Sequence, residues 1–208
     1  MLLGGGREFF VPQLTIGSKR TDNRDLIKEA KKAGYKVVQN KSEMTKSWGN
    51  LLLGLFQLRP LTTDSTEPSV ADLTRKAIGI LNQNRKGFFL MVEGSQIDWA
   101  CHDNEIDAMV RQILLFDEAV KVALDFAMQD SHTIVIVTAD HETGGLGITD
   151  GSLDGKDVEV GWLSKDHTEI MVPIFAFGPK AERFTGVHEN AEITKIVAEI
   201  VGIGLFPE

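Results

Sequence analysis

Residues 133–142 read Thr-Ile-Val-Ile-Val-Thr-Ala-Asp-His-Glu, an apolar run that leads directly into acidic and imidazole side chains. A short, continuous apolar run is typical of a strand buried on both faces of a parallel sheet. Two further runs have this character, at 88–92 (Phe-Phe-Leu-Met-Val) and 172–177 (Val-Pro-Ile-Phe-Ala-Phe). From 97 to about 128, apolar residues recur three, four or seven positions apart, which predicts a helix.

The same alternation continues through the rest of the chain. Further helices are predicted from Asp22 or Asn23 to about Lys32, after Asn40, from Ser69 to about Asn82, and over about 191–201. Short strands are predicted over 35–38 and 51–56, and a loop over 59–68. This order predicts the α/β class, with a mostly parallel central sheet and helices on both of its faces. Because no repeat or linker is apparent, residues 1–208 are predicted to form a single α/β domain.

The start of the chain carries three glycines and no secretory signal. Gly4–Gly6 predict a tight turn with positive φ, because a phosphate-binding loop would need a helix and a lysine after the glycines. The basic region, apolar stretch and small-residue cleavage site of a signal peptide are not found. Such an opening is compatible with a segment of a longer protein.

The charge, apolar runs and cysteine count of the chain exclude several classes of protein. The chain has 208 residues, with 22 Lys and Arg against 30 Asp and Glu, for a formal net charge of -8. Proteins that bind nucleic acid by neutralising phosphates carry the opposite charge, so we expect no nucleic-acid binding. No apolar run reaches the roughly 20 residues of a membrane-spanning helix. The single cysteine, Cys101, excludes an intrachain disulfide.

Polar residues with metal-binding chemistry follow the apolar runs. In open α/β sheets ligands bind beyond the carboxyl ends of the strands, where the sequence has Glu93 after one strand and Asp140 and His141 after another. Asp98 and His102 are four residues apart and share one face of a helix, and an imidazole with a carboxylate suits zinc. Each pair also has a plainer explanation. An Asp and a His four apart can simply stabilise a helix, and adjacent residues within a strand point to opposite faces.

The other histidines, the cysteine and the tryptophans are less clearly functional. His167, in a polar stretch just before 172–177, is the third histidine that calls for an explanation, whereas His132 and His188 are interpreted as solvated surface residues. Cys101 is either a thiolate ligand or a small packing residue, and its position about 100° around the helix from His102 favours packing. Packing is also the favoured role of the tryptophans at 99 and 162.

Three motifs together resemble the alkaline phosphatase family. The segments 92–102 (Val-Glu-Gly-Ser-Gln-Ile-Asp-Trp-Ala-Cys-His) and 138–146 (Thr-Ala-Asp-His-Glu-Thr-Gly-Gly-Leu) resemble two of its metal-binding motifs. Asp166-His167-Thr168, followed by 172–179, resembles the third. The motifs occur in the family's order, and the resemblance covers essentially the whole chain. It implies an alkaline-phosphatase-like sheet that is incomplete on its N-terminal side.

The resemblance also implies a reaction and a set of cofactors. Members hydrolyse phosphate monoesters through a phosphoserine intermediate, with two zinc ions and usually one magnesium ion above the carboxyl ends of the strands. Carried over, Asp98, His102 and His167 would hold the first zinc ion. Asp140 and His141 would supply part of the second zinc site, and Glu93 would contribute to the magnesium site.

The nucleophilic serine of the family has no match in this sequence. In the family it lies upstream, with an aspartate that bridges two metals and an arginine that holds the phosphate. The dipeptide Asp64-Ser65 lacks the expected helix start and small-residue context, and it falls at the wrong place in the order. The chain thus resembles the C-terminal portion of an alkaline phosphatase. The complete protein is expected to be a homodimer, periplasmic or extracellular.

Two alternatives remain open at the level of sequence. Instead of a portion of an active alkaline phosphatase, the chain could be a catalytically silent metal-binding fragment that needs an N-terminal partner. It could also be part of a related phosphodiesterase or sulfatase. The ligands named above are partly shared among these enzymes, whereas the residues that flank them match the alkaline phosphatases closely.

Overall fold

The computed structural model describes residues 1–62 and 66–203, so the dipeptide Asp64-Ser65 lies outside the described residues. The chain divides into two units, Met1–Glu93 and Gly94–Glu208, and each contains its own cluster of buried apolar side chains. None of the helices in these described ranges has both the length and the apolar character needed to cross a bilayer.

The first unit is built on a parallel three-stranded sheet. Its elements are β1 (Leu2–Gly4), α1 (Leu26–Lys32), β2 (Lys36–Val38), α2 (Lys41–Lys46), β3 (Leu52–Leu55) and α3 (Val70–Leu81). The strand order is β1-β3-β2, and both pairings are parallel, as the sequence predicts. All four residues of the central strand β3 are buried. Around it, Val38, Met44 and Ile80 pack with Leu52 and Phe56.

Capping side chains decide where the helices of this unit begin. Ser69 forms a reciprocal capping box with Asp72 at the start of α3, as predicted. Helix α2 begins after Asn40, as predicted, and the Asn40 side chain is its cap. The cap of α1 is Asp25, so the prediction of Asp22 or Asn23 was wrong. The Asp22 carboxylate instead binds the Arg20 guanidinium at 2.6 Å, and this hydrogen bond lowers the pKa of Asp22.

Of the three glycines at the start of the chain, Gly6 has the predicted positive φ, and Gly5 allows a close backbone approach. Gly6 has a φ of +77°, which an L side chain rarely adopts. At Gly5 a Cβ atom would lie 2.4 Å from the carbonyl oxygen of Arg59. The glycines therefore allow a close backbone approach and a turn.

The run at 88–92 is not a strand, and this prediction was wrong. Phe89 and Met91 are 73% and 75% exposed, and none of the strands in the described ranges pairs with this segment. A strand forms only where a neighbour satisfies its backbone N–H and C=O groups. The apolar composition indicated a buried strand but carried no information on whether a neighbour is present.

In the described part of the second unit, helices come both before and after the strands. Its elements are α4 (Gln96–Asp103), α5 (Ile106–Asp130), β4 (Val135–Thr138), β5 (Glu142–Thr143), β6 (Gly147–Gly151), β7 (Val158–Gly161), β8 (His167–Thr168), β9 (Ile174–Phe177) and α6 (Asn190–Ile200). The single helix predicted over 97–128 is thus two helices, separated where Asn104 adopts a left-handed conformation with φ 59°. Such a residue ends a helix because the chain leaves the right-handed region.

All strand pairs described in the second unit are antiparallel. β4 pairs with β9, with Val135 opposite Phe177 and Thr138 opposite Ile174. β5 pairs with β8 over two residues, and β6 with β7 across a hairpin. The parallel arrangement predicted for the sheet therefore holds in the first unit, whereas the apolar runs at 133–137 and 172–177 run antiparallel to each other.

Candidate metal centre

Helix α4 presents Asp98 and His102 on one face. Nε2 of His102 lies 3.5 Å from Oδ2 of Asp98, and both side chains are about one-third exposed. Nδ1 of His102 lies 2.5 Å from the backbone carbonyl oxygen of Lys165. Because a carbonyl only accepts, Nδ1 carries the hydrogen and donates it there. Nε2 is then left with a lone pair directed toward the Asp98 side, as a metal ligand requires.

The short β5–β8 ladder brings His167 to the same carboxylate. Thr143 of β5 lies opposite His167 of β8. Nε2 of His167 is 3.6 Å from Oδ1 of Asp98, and the buried Thr143 hydroxyl donates a 2.5 Å hydrogen bond to that oxygen. One carboxylate therefore receives contacts from a helix residue and from both strands of the ladder.

His141, just before β5, completes the cluster. Its ring stacks on that of His167 with centroids 3.5 Å apart, and the His102 ring is 5.0 Å from that of His167. Nδ1 of His141 is 3.3 Å from the Thr143 hydroxyl oxygen. One ligand atom from each of Asp98, His141 and His167 lies within 4.8 Å of the others. Imidazole nitrogens around one carboxylate are a donor set that suits zinc.

The two remaining predicted ligands are placed differently. The side chain of Asp140 is 88% exposed, and its Oδ2 is 3.3 Å from Nε2 of His141. Glu93 is exposed and is the last residue of the first unit. The cluster thus joins His141, predicted for the second zinc ion, to the side chains predicted for the first. The division of ligands between ions stays a prediction.

The amino-acid sequence is similar to those of known alkaline phosphatases. A sequence model described as alkaline phosphatase matches residues 1–158 and 152–203. Alkaline phosphatase 4 of Bacillus subtilis (strain 168) is 35% identical over 275 residues, which cover 98% of this chain and 58% of that protein. The chain belongs to the alkaline phosphatase family. It spans a little over half the length of this relative.

The fold of the alkaline phosphatases agrees with this assignment. The alkaline phosphatase from the Antarctic bacterium TAB5 superposes with a TM-score of 0.85 at 28% identity, over 98% of this chain and 60% of that chain. A histidine-to-aspartate variant of the same enzyme holds Mg in its M3 site, and it superposes with a TM-score of 0.82 at 29% identity, over 96% of this chain and 60% of that one. The predicted α/β, alkaline-phosphatase-like fold is confirmed.

Sequence reasoning missed the polar residues that surround these ligands. Thr143 contacts both Asp98 and His141, and the Lys165 carbonyl holds His102. Glu142 accepts hydrogen bonds from the turn that follows it and from Thr168. Glu142, Thr143 and Thr168 each lie within two residues of a predicted ligand. Proximity in sequence was therefore the available signal for these residues. Their partners depend on strand pairings that proximity does not reveal.

The structure also tests the residues predicted to be inert. Cys101 is buried against Ala100 and Met109, and burial, with smaller contributions from Glu142 and Asp98, raises the pKa of its thiol. The packing interpretation of Cys101 is confirmed. Trp162 packs against the same cluster, whereas Trp99 is 46% exposed and does not fulfil its predicted packing role.

The two histidines predicted to be solvated differ from each other. His132 is exposed, as predicted. The side chain of His188 is only 17% exposed, and its Nε2 lies 3.1 Å from the carbonyl oxygen of Thr185, so the prediction was wrong for this residue. Its neighbour four residues on, Glu192, belongs to α6, and neither residue belongs to the cluster around Asp98.

Proposed function

We propose that this chain supplies zinc and magnesium ligands to an alkaline phosphatase that hydrolyses phosphate monoesters through a phosphoserine intermediate. The observation that carries the proposal is the convergence of Asp98, His141 and His167, with His102 beside them, in a member of this family. We assign zinc to these four residues and to Asp140, and magnesium to a site that includes Glu93. The donor chemistry supports the zinc assignment, since it combines imidazole nitrogens with carboxylate oxygens.

The chain's own residues prepare the site for a doubly charged ion. His102 directs a lone pair at the site because Nδ1 is held by the Lys165 carbonyl, and Asp98 is held by the Thr143 hydroxyl. When bound, the metals would stabilise charge on the attacking and leaving oxygens of an in-line displacement. The protein groups hold donor atoms in one place, which removes the need to reorganise them during the reaction.

The nucleophile is the missing chemical group. No part of the 208-residue sequence matches the serine motif, with its neighbouring aspartate, that the family resemblance implies. We therefore propose that this chain binds metal but hydrolyses phosphate esters only together with a segment that contains that motif. A homodimeric assembly and a periplasmic or extracellular location of the complete protein are proposed on the same family basis.

Zinc stoichiometry and hydrolysis of an aryl phosphate, measured on the purified chain, test this function. We expect zinc binding without turnover, and turnover once an N-terminal half of a family member is added. His167→Ala should weaken zinc binding at least tenfold, because it removes an imidazole ligand. His132→Ala is the matched control, since His132 is exposed and lies outside the cluster.

Each part of the proposal has its own contrary result. Unchanged zinc stoichiometry and affinity in His167→Ala would show that the ligand assignment is wrong. Zinc-dependent hydrolysis by the chain alone would instead contradict the view that the nucleophile comes from another segment. Zinc binding with no activity in any mixture would favour the silent metal-binding fragment.

A further inference from the structure

Glu142 directly follows the predicted zinc ligand His141, and its carboxylate accepts several hydrogen bonds. Its carboxylate accepts from the backbone N–H of Gly145 at 2.9 and 3.0 Å and from that of Leu146 at 3.3 Å. It also accepts from the hydroxyl of Thr168. The side chain therefore joins β5, the turn after β5, and β8.

The two faces of the β5–β8 ladder carry different residues. Successive side chains of a strand point to opposite faces. Glu142 and Thr168 lie opposite each other, and Thr143 and His167 form the next pair. The second pair contacts Asp98, as described above. On the other face, the Thr168 hydroxyl donates to the Glu142 carboxylate, which also accepts from the turn after β5.

A ladder of two residues is a weak determinant of register. It contributes few backbone hydrogen bonds, and a slip of one residue would move every side chain to the opposite face. After such a slip His167 would no longer face Asp98. The bond between Glu142 and Thr168 favours the observed register, because it forms only when these two residues lie opposite each other.

The turn after β5 is shaped to receive the carboxylate. Gly144 and Gly145 have φ values of +89° and +61°, and these conformations let successive N–H groups point at one anion. The Gly144 carbonyl accepts from the N–H groups of Leu163 and Ser164, which precede β8. The turn is thus hydrogen-bonded both to the Glu142 carboxylate and to residues 163–164, in the segment that leads to His167.

We propose that Glu142 is a positioning residue for the metal centre. By binding the Gly145–Leu146 backbone and the Thr168 hydroxyl, its carboxylate fixes the register that holds His141 and His167 against Asp98. The inference rests on the proposed function, since it assumes that these side chains bind zinc. Glu142 itself acts through the ladder and touches neither metal nor substrate.

Substitutions that remove a single hydrogen-bond acceptor of Glu142 or the donor hydroxyl of Thr168 test the positioning role of Glu142. Glu142→Gln keeps the size of the side chain but replaces one carboxylate oxygen with an NH₂ group, which cannot accept from Gly145 or Thr168. Thr168→Val removes the hydroxyl while keeping the shape. We expect each change to weaken zinc binding by about 10- to 100-fold, the usual effect of losing a group that orients metal ligands. Thr168→Ser keeps the hydroxyl and should bind zinc nearly as tightly as the unmodified chain.

The measurement is zinc affinity of the full 208-residue chain, by competition with a chromogenic zinc chelator, together with melting of the zinc-free chain. Glu67→Gln is the matched control. Glu67, in the first unit, is a buried carboxylate that accepts from Gln57 Nε2 at 2.5 Å and from the Thr62 N–H at 2.8 Å, whereas Glu142 is half-buried. Its replacement should lower the melting temperature and leave zinc affinity unchanged.

The outcomes separate this inference from the function on which it rests. Zinc affinity of Glu142→Gln within twofold of the unmodified chain, while His167→Ala binds weakly, would overturn the role of Glu142 alone. An equal loss in Thr168→Ser and Thr168→Val would overturn it as well, because the hydroxyl would then be irrelevant. Unchanged affinity in His167→Ala would overturn the zinc centre itself, and with it the positioning role.

Discussion

At the scale of single residues, the site depends on groups that fix the orientation of the ligands. The Thr143 hydroxyl has one hydrogen, which it donates to Asp98, and its oxygen then accepts from Nδ1 of His141. The Lys165 carbonyl oxygen likewise accepts a hydrogen bond from Nδ1 of His102. In both histidines Nδ1 is engaged, so Nε2 is the atom left for a metal. Two of the predicted ligands thus reach the site in the tautomer that zinc needs.

Cys101, the neighbour of His102, gives a prediction at this scale. Burial raises the pKa of its thiol from the ordinary value of 9.0, so the folded chain holds this proton at a pH where the unfolded chain has begun to lose it. Stability from this group is therefore complete below pH 9 and is lost as the pH rises from there through the raised pKa of the folded chain. We expect alkylation by iodoacetamide, in the presence of a chelator, to accelerate with a midpoint above pH 9.

Mass spectrometry of the alkylated chain measures this midpoint, since the sequence contains a single cysteine. The chain unfolded in urea is the control and should react with a midpoint near the ordinary value. A midpoint in the folded chain at or below that of the unfolded chain would contradict the buried, neutral thiol.

At the scale of secondary-structure elements, helix starts were predicted well where the cap had no competing partner. Ser69 and Asp72 were recognised as a capping box because both signals lie within four residues. The start of α1 was missed because Asp22, a good cap by type, binds Arg20 instead. That competition is a matter of side-chain geometry, and residue type alone does not express it.

The capping box gives a prediction for α3. Ser69→Ala removes the hydroxyl that accepts from the Asp72 N–H at 3.1 Å. We expect the free energy of unfolding to fall by about 1 kcal/mol, the typical effect of losing a serine cap. Urea unfolding measures the change. Ser42→Ala, at an exposed position within α2, is the control and should alter stability by less than about 0.5 kcal/mol. Equal effects of the two substitutions would contradict the cap's contribution.

Strands were harder to predict than helices, for a physical reason. A helix satisfies its backbone locally, whereas a strand needs a neighbour that is distant in sequence. The run at 88–92 has strand composition but no strand structure, and the two-residue strands β5 and β8 have no strand signal yet organise the site. The ligand types were predictable from motifs, but the residues that align them were not, because their contacts arise from this pairing.

At the scale of the whole molecule, the proposed metal centre would give part of the negative charge a specific use. The formal net charge is -8, and part of that acidity is gathered at Asp98 and Asp140, next to the clustered histidines. A carboxylate-rich site without a cation would repel phosphate. A bound dication is the largest local charge in such a site and reverses this repulsion. The overall acidity of the chain therefore does not argue against the proposed phosphate ester substrate.

The proposed metal binding would also link the site to the stability of the whole chain. Its ligands come from α4, from the segment between β4 and β5, and from β8, so only the folded state brings them together. An ion that binds only the folded state at a free concentration 100 times its Kd stabilises it by about 2.7 kcal/mol.

For a chain of this size we expect zinc to raise the melting temperature by roughly 5–11 °C relative to a chelator. Calorimetric melts of the chain, of His167→Ala and of His132→Ala measure this. The zinc-dependent shift should shrink in the first variant and persist in the second. Equal melting temperatures with zinc and with chelator would mean that the clustered histidines form a structural contact rather than a metal centre.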